Sequence, residues 1–337
     1  MDLPTTNLAS PADAHPIPAS GAWRFAPLGV LIIIVLILPW LASPLWIRIA
    51  TEVLMWAGLA QSWNIIGGYT GYLSFGHGAF FGLGAYVTGI AMVHLKLPFG
   101  LGLVFSGILA SLLGVIIGYP TLRLRGAYFA IATWAFGEMM RQIATILDVT
   151  GGAFGMQLPA FLNLPFFYYV MLGVTVLTYL TTNFLLERAR FGYKLLAIRE
   201  NEEAAEMIGV DTVTIKMKAF ALSAFFPGVL GGIYAYWVTY IHPDSVLKAD
   251  VTDFMVVMAF LGGIGSLWGP FFGAVVVQLV QRILWLVWGE GTFYLVIIGA
   301  AICAVVLFIP NGLVGLMEAR FFSPREGLSR LKKKIKW

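Results

Sequence analysis

Seven stretches of this chain contain no Asp, Glu, Lys or Arg: Phe25–Ile47, Val53–Leu95, Leu97–Leu122, Val149–Leu186, Ala219–Pro243, Phe254–Gln281 and Gly291–Met317. A helix needs roughly 20 apolar residues to cross a bilayer. Most of these stretches hold one such span, and Val53–Leu95 holds two. Backbone polar groups in lipid must be satisfied within the protein, so only helices and closed barrels cross. Barrel strands alternate polar and apolar residues over about ten positions, and these stretches do not. The expected fold is all-α: a polytopic integral membrane protein of about ten transmembrane helices, some broken or re-entrant. The chain is 11% charged, against about 25% for a soluble domain.

The expected spans are Pro27–Leu41, Ala50–Ile66, His77–His94, Phe99–Tyr119, Gly126–Leu147, Pro165–Leu186, Lys216–Val238, Asp250–Leu261, Trp268–Trp288 and Phe293–Ile309. Asp250–Leu261 is short for a full crossing and is the candidate re-entrant helix. Three regions follow: a disordered cytoplasmic tail over 1–24, a transmembrane domain over 25–315 with a charged loop at 187–218, and a basic cytoplasmic tail over 316–337. The first residues lack the basic start of a secretory signal. Seven of the 21 Lys and Arg lie after Met317 and six more in Glu187–Lys218. Basic loops stay cytoplasmic, so the loop and both termini are assigned to that side. Asp148–Pro165 is then the longest external loop. The run "RLKKKIKW" reads as a topology anchor beside anionic lipid rather than a nucleic-acid site. Cys303 is the only cysteine, which excludes an internal disulfide.

Within the long uncharged stretch, Gly67–Gly89 reads "GGYTGYLSFGHGAFFGLGAYVTG". Small residues let helices approach closely, which accounts for Gly78, Gly82, Gly84, Ala85 and Gly89. Gly67–Ser74 is different, because adjacent glycines weaken a helix. It reads as a break, and irregular backbone at membrane depth is tolerated only against protein or a cavity. Asn64, Tyr69, Ser74 and His77 beside this break are the candidate solute-pathway residues. For His77 a hydrogen bond to backbone or hydroxyl is the plainer role. Asn64 and Gln61 share a helix face and need polar partners. Glu138 and Arg141 can pair along one helix face, and Arg282 and Glu290 flank a span end in the same way. "GAFFG" at Gly78–Gly82 recurs as "GPFFG" at Gly269–Gly273. An internal repeat and chance in a Gly/Phe-rich chain account for this echo equally well.

The loop Glu187–Lys218 holds 12 of the 38 charged residues. Asn201 is a good N-cap, Glu202 and Glu203 suit a first turn, and Gly209 suits a helix stop. Ala204, Ala205 and Ile208 would form a small apolar face. Such a helix fits either a groove on a partner protein or the membrane surface.

Three stretches decide between those readings: "GYLSFGHGAFFGLGAY", "RFGYKLLAIRENEEAAEMIGV" and "FLGGIGSLWGPFFGA". Together they resemble the permeases of branched-chain amino-acid ABC transporters, the LivH/LivM-like family, with the length of the M-type partner. "EAAEMIG" at Glu203–Gly209 matches the first half of the EAA loop of ABC-importer permeases, while the later half of that pattern is not clear. The resemblance runs from about Ala50 to Gly315 and implies an ABC-importer permease fold. It implies that Arg199, Glu200, Asn201, Glu203, Ala204, Ala205, Ile208 and Gly209 form the loop that docks in an ATPase. It also implies a second permease subunit, two ATP-binding cassette subunits and an external solute-binding protein as partners, in the cell inner membrane. Related permeases move urea, short amides or aromatic acids, so the solute stays open.

No phosphate-binding G-x-x-x-x-G-K-[ST] stretch, metal-ligand cluster or nucleophile elbow occurs in the sequence. The chain is expected to hold no cofactor or metal and not to be an enzyme, with ATP bound by the partner ATPase. A secondary transporter of small solutes is the alternative. It would need intramembrane carboxylates, for which Glu138 is the single candidate.

Overall fold

The structure, a computed structural model, describes residues 35–288, 299 and 312–315. Two compact units divide the chain, Met1–Ile47 and Arg48–Trp337. The described part of the first is a helical stretch over 35–41 and the opening of the next helix. The long helices are α1 (Pro44–Thr70), α2 (His77–Val93), α3 (Phe99–Thr121), α4 (Ala127–Ile146) and α5 (Leu164–Thr182). A π-turn at Asn183–Glu187 leads into α6 (Arg190–Glu200) and α7 (Glu202–Met207). There follow α8 (Thr212–Val238), α9 (Pro243–Val246), α10 (Ala249–Gly262) and α11 (Gly269–Trp288). The described residues are thus almost wholly helical. Three of the helices are long and apolar enough to cross a membrane: Phe99–Thr121, Leu164–Glu187 and Thr212–Val238. His77–Val93 and Gly269–Leu284 are shorter and equally apolar.

The exposed apolar faces are those that lipid or another membrane subunit would cover. On α3 the large apolar residues Leu101, Val104, Phe105, Ile108, Leu112 and Ile116 are exposed, while Gly102, Ser106, Gly107, Ala110, Gly114 and Gly118 are buried. This inverts a soluble helix, because lipid tails solvate Leu and Ile while protein contacts need small residues. On α1 every residue from Ala57 to Thr70 is buried. That helix is surrounded by protein and can therefore carry Gln61, Ser62 and Asn64. The main core joins α2, α3 and α8. Helices α2 and α8 approach closely at Gly84, where an added Cβ would lie 1.9 Å from the carbonyl oxygen of Gly228, and at Gly231, where one would lie 1.9 Å from that of Phe81. Only glycine permits that separation.

Eight of the ten expected spans coincide with described helices, while Pro27–Leu41 and Phe293–Ile309 lie mostly outside the described residues; four differences stand out. Helix α1 runs on through Gly67 and Gly68 to Thr70, so the break is later than Gly67–Ser74. Those two glycines make room instead: a Cβ on Gly67 would strike the Trp63 ring, and one on Gly68 would strike Asn64. The amphipathic α6 was not foreseen. The loop after α4 holds a two-residue strand, β1 (Met156–Gln157), pairing antiparallel with β2 (Tyr240–Ile241). Finally, Arg282 donates to Glu52 at 3.2 Å, while Glu290 lies outside the described residues. So do most of Phe293–Ile309, Cys303 and the expected tails 1–24 and 316–337.

Candidate functional site

Gly71 follows α1 with φ +77°, a left-handed residue of the kind that ends helices. The chain from Gly71 to Gly76 then folds back alongside α1. Trp63 Nε1 donates to the Ser74 carbonyl at 2.7 Å, seven residues before the end of α1 and hence about 10 Å from it. Amides on either side of the start of α2 find side-chain acceptors: Phe75 N donates to Thr133 Oγ1 at 3.0 Å, and Gly78 N, in the first turn of α2, to Thr252 Oγ1 at 2.7 Å. Thus α2 and α10 begin side by side, short of the end of α1, and α2 has only 17 residues.

His77 stands at this point, fully buried. Its Nδ1 lies 3.0 Å from Ser74 Oγ and its Nε2 3.1 Å from Ser223 Oγ. Ser223 donates its own proton to the Phe220 carbonyl at 2.8 Å. It therefore accepts from Nε2–H, and Nδ1 accepts from Ser74. The rings of Phe80 and Phe220 meet the imidazole edge-on. Asn64 clamps the end of α10: its Nδ2 donates to the Ser266 carbonyl at 2.9 Å and its Oδ1 accepts from Gly265 N at 2.8 Å. Tyr69 donates to Glu187 at 3.0 Å. All four pathway candidates are thus buried and bonded to protein.

The charged loop sits at the same end of α1. Asn201 caps α7 by accepting from Ala204 N at 3.0 Å, and Gly209 has φ +86°. Glu202, in the first turn, accepts from Lys216 Nζ and from the Tyr72 hydroxyl, each at 2.5 Å. Lys216 also donates to the Leu122 carbonyl at 3.0 Å and lies over the Tyr72 ring. Burial works against the ionised Glu202, but the bonds from Lys216 and Tyr72 outweigh it and hold the carboxyl below its usual range. This one cluster ties α7 to α8, to the end of α3 and to the fold-back segment. Arg199 adds a bond to the Gly68 carbonyl at 2.8 Å, and Arg125 pairs with Glu203 at 2.7 Å on the exposed rim.

The apolar face expected of Ala204, Ala205 and Ile208 is divided. Ala205 is 2% exposed inside the chain's own core, while Ile208 is 78% and Met207 82% exposed. The reason is that α7 ends at Met207, so helical spacing does not carry over to Ile208. Glu200, Asn201, Glu203 and Gly209 are exposed, and Ala204 is half-buried. Sequence reading missed Tyr72, Lys216, Thr133, Ser223 and Thr252. Lys216 carried a signal, one of two lysines at the start of an apolar span. The hydroxyls carried none, since Ser and Thr are common in membrane helices.

"GAFFG" and "GPFFG" occupy corresponding places. Each opens a helix, α2 or α11, after a glycine loop. The preceding helices α1 and α10 run side by side in the same direction, with Trp56 on Phe254 at 5.6 Å and Trp63 near Phe260 at 6.1 Å.

Comparison with known proteins places this architecture. The family described as "Branched-chain amino acid transport system / permease component" matches residues 45–306. The high-affinity branched-chain amino acid permease protein LivM of Salmonella typhimurium is 29% identical over 84% of this chain and 73% of its own length. A probable LivM of Methanocaldococcus jannaschii is 28% identical over 71% of this chain and 82% of its own. LivH of Escherichia coli is 23% identical over 78% and 92%. No solved structure matches the chain. With the family pattern covering its helices from α1 onward, the chain belongs to the branched-chain amino acid transport system permease component family.

Proposed function

We infer that this chain is the M-type permease subunit of an ABC importer for branched-chain or closely related amino acids. It works with a second permease, two ATPase subunits and an external binding protein in the inner membrane, with its charged loop and both termini cytoplasmic and about ten crossings in all. ATP is bound by the ATPase subunits. One observation supports the coupling role most directly: α7 is anchored by Glu202 to the fold-back segment, yet presents Met207 and Ile208 to solvent. An apolar tip on a charged loop of a membrane protein is shaped for a groove on another protein. The docking residues are therefore Met207 and Ile208 rather than Ala205, with Arg199, Glu200 and Glu203 as the charged rim. His77 supports the fold-back segment through Ser74, and Asn64 holds the loop that follows α10.

The test is reconstitution of the complete importer in vesicles. ATP-dependent uptake of leucine, isoleucine or valine is expected. Ile208→Asp should release the ATPase, since a charge in an apolar interface is left unpaired, and weaken binding by about 2 kcal/mol or more. Uptake that persists in Ile208→Asp with ATPase still bound excludes the tip as the docking point.

A further inference from the structure

Of the three helices long and apolar enough to cross a membrane, α8 is mostly enclosed by protein, whereas α3 and α5 keep one face exposed along their length. The exposed face of α3 passes through Ile108, Leu112, Ile116 and Tyr119, and that of α5 through Leu177, Leu180 and Phe184. Contacts between helices in a bilayer favour small residues. On α3 the small residues face inward, so its large outer side chains suit lipid tails. Both helices end in the same way. Arg123 follows Tyr119 by four residues and lies over its ring, 4.7 Å from the centroid. Arg188 follows Phe184 by four and lies over its ring at 5.6 Å. All four residues are exposed. Both ends lie at the charged loop: the Leu122 carbonyl accepts from Lys216, and α5 leads through its π-turn into α6.

The cations at this end behave in two ways. Lys216, on the enclosed α8, turns to Glu202, and Arg125 turns to Glu203. Arg123 and Arg188 join no ion pair among the described residues. A guanidinium stacked on a ring keeps its N–H edge free, and that edge matches a phosphate bidentately. The geometry points to these two arginine–aromatic steps as seats for the phosphate of an anionic phospholipid, in the leaflet on the side of the charged loop. The acyl chains run along the outer faces of α3 and α5, and each ring stands where tail gives way to headgroup. The phosphate supplies the opposite charge that the chain itself does not. The inference rests on the reading above only in calling that leaflet the cytoplasmic one.

The test is native mass spectrometry of the complete importer in detergent, titrated with phosphatidylglycerol or with phosphatidylcholine. Phosphatidylglycerol should bind the more tightly. Arg123→Gln and Arg188→Gln should each weaken one of its sites about fivefold, and the double variant should weaken both. A diffuse attraction between basic residues and an anionic surface is the rival, and two further variants separate it. Tyr119→Leu keeps the face apolar and every charge in place, yet should weaken the Arg123 seat about twofold or more through loss of the stacking platform. Arg190→Gln removes an exposed charge at the same end that lies over no ring among the described residues. It should leave binding within about twofold of wild type, because screening confines its reach. Equal affinity for the two lipids, wild-type binding in the double variant, or equal losses in Arg190→Gln and Arg123→Gln overturns the proposal. So does release of the ATPase from the double variant with phosphatidylglycerol still bound as in wild type, which makes the arginines protein contacts. A complex that binds phosphatidylglycerol in the expected pattern but takes up no branched-chain amino acid overturns the importer reading and supports the lipid seats.

Discussion

Glu202 shows how one side chain can serve two elements. Its carboxylate is nearly enclosed, at 14% exposure, with Lys216 at 2%. Removing one partner of such a pair leaves a buried charge without compensation, so Lys216→Met should destabilise the protein by about 3–5 kcal/mol. The pH dependence follows from the same bonds. The folded carboxyl ionises below its usual range, so its contribution is present above the unfolded pKa and is lost as pH falls through the folded one. Thermal unfolding in detergent should show a melting temperature that declines on acidification from about pH 5. Glu202→Gln should flatten that decline, and an unchanged acid limb in the variant counts against the assignment. Which residues meet here was only half legible in the sequence. Asn201, Glu202 and Gly209 declared a short capped helix through local chemistry. That Glu202 would find Tyr72, 130 positions earlier, depends on the fold-back of Gly71–Gly76, which no local pattern encodes.

At the scale of helices, burial on α3 and α1 explains why charge-free length located the spans so well. Lipid-facing helices must be apolar outside and small inside, and both kinds of residue lack charge. The same property hid which helices are interior, because a glycine facing lipid and a glycine facing a carbonyl look alike in sequence. The two cases differ in their response to a side chain. Gly84→Val should force α2 from α8, costing about 1–3 kcal/mol or more, since even a Cβ meets the Gly228 backbone. Gly173, on α5, has nothing within 4 Å of an added Cβ. Gly173→Ala should leave the protein as stable or raise stability by up to about 1 kcal/mol through helix propensity. Melting temperatures of the two variants measure the contrast, and equal responses would contradict the packing described.

For the whole molecule, the basic loop and the β1–β2 connection mark opposite ends of the helices. Lys194 is exposed on α6, and Phe154 is 88% exposed beside β1. In a Cys303→Ser background, cysteine at Phe154 should react with an impermeant thiol reagent added outside intact cells, while cysteine at Lys194 should react only after permeabilisation. Labelling of Lys194→Cys from outside reverses the orientation. The separation of these two ends is observed, and the assignment of the basic end to the cytoplasm is an expectation from the distribution of Lys and Arg that this labelling tests. The fold-back that starts α2 short of the end of α1 was not legible, since a break reads the same in sequence whether it lies at the surface or inside.

That fold-back bears on how the protein is made. Gly78 N finds its acceptor in Thr252, 174 residues later in the chain, and Phe75 N finds its own in Thr133. When the ribosome has delivered α1 and α2 to the membrane, neither acceptor has yet been synthesised. Unsatisfied amides are not stable in hydrocarbon, so the Gly71–Gly76 segment must wait in the aqueous boundary, or under the cover of an insertion factor. It can take its place when α4 arrives, and it is complete only when α10 does. Nascent chains halted before Thr252 should therefore leave this segment open to protease, and it should become resistant once synthesis has passed α10.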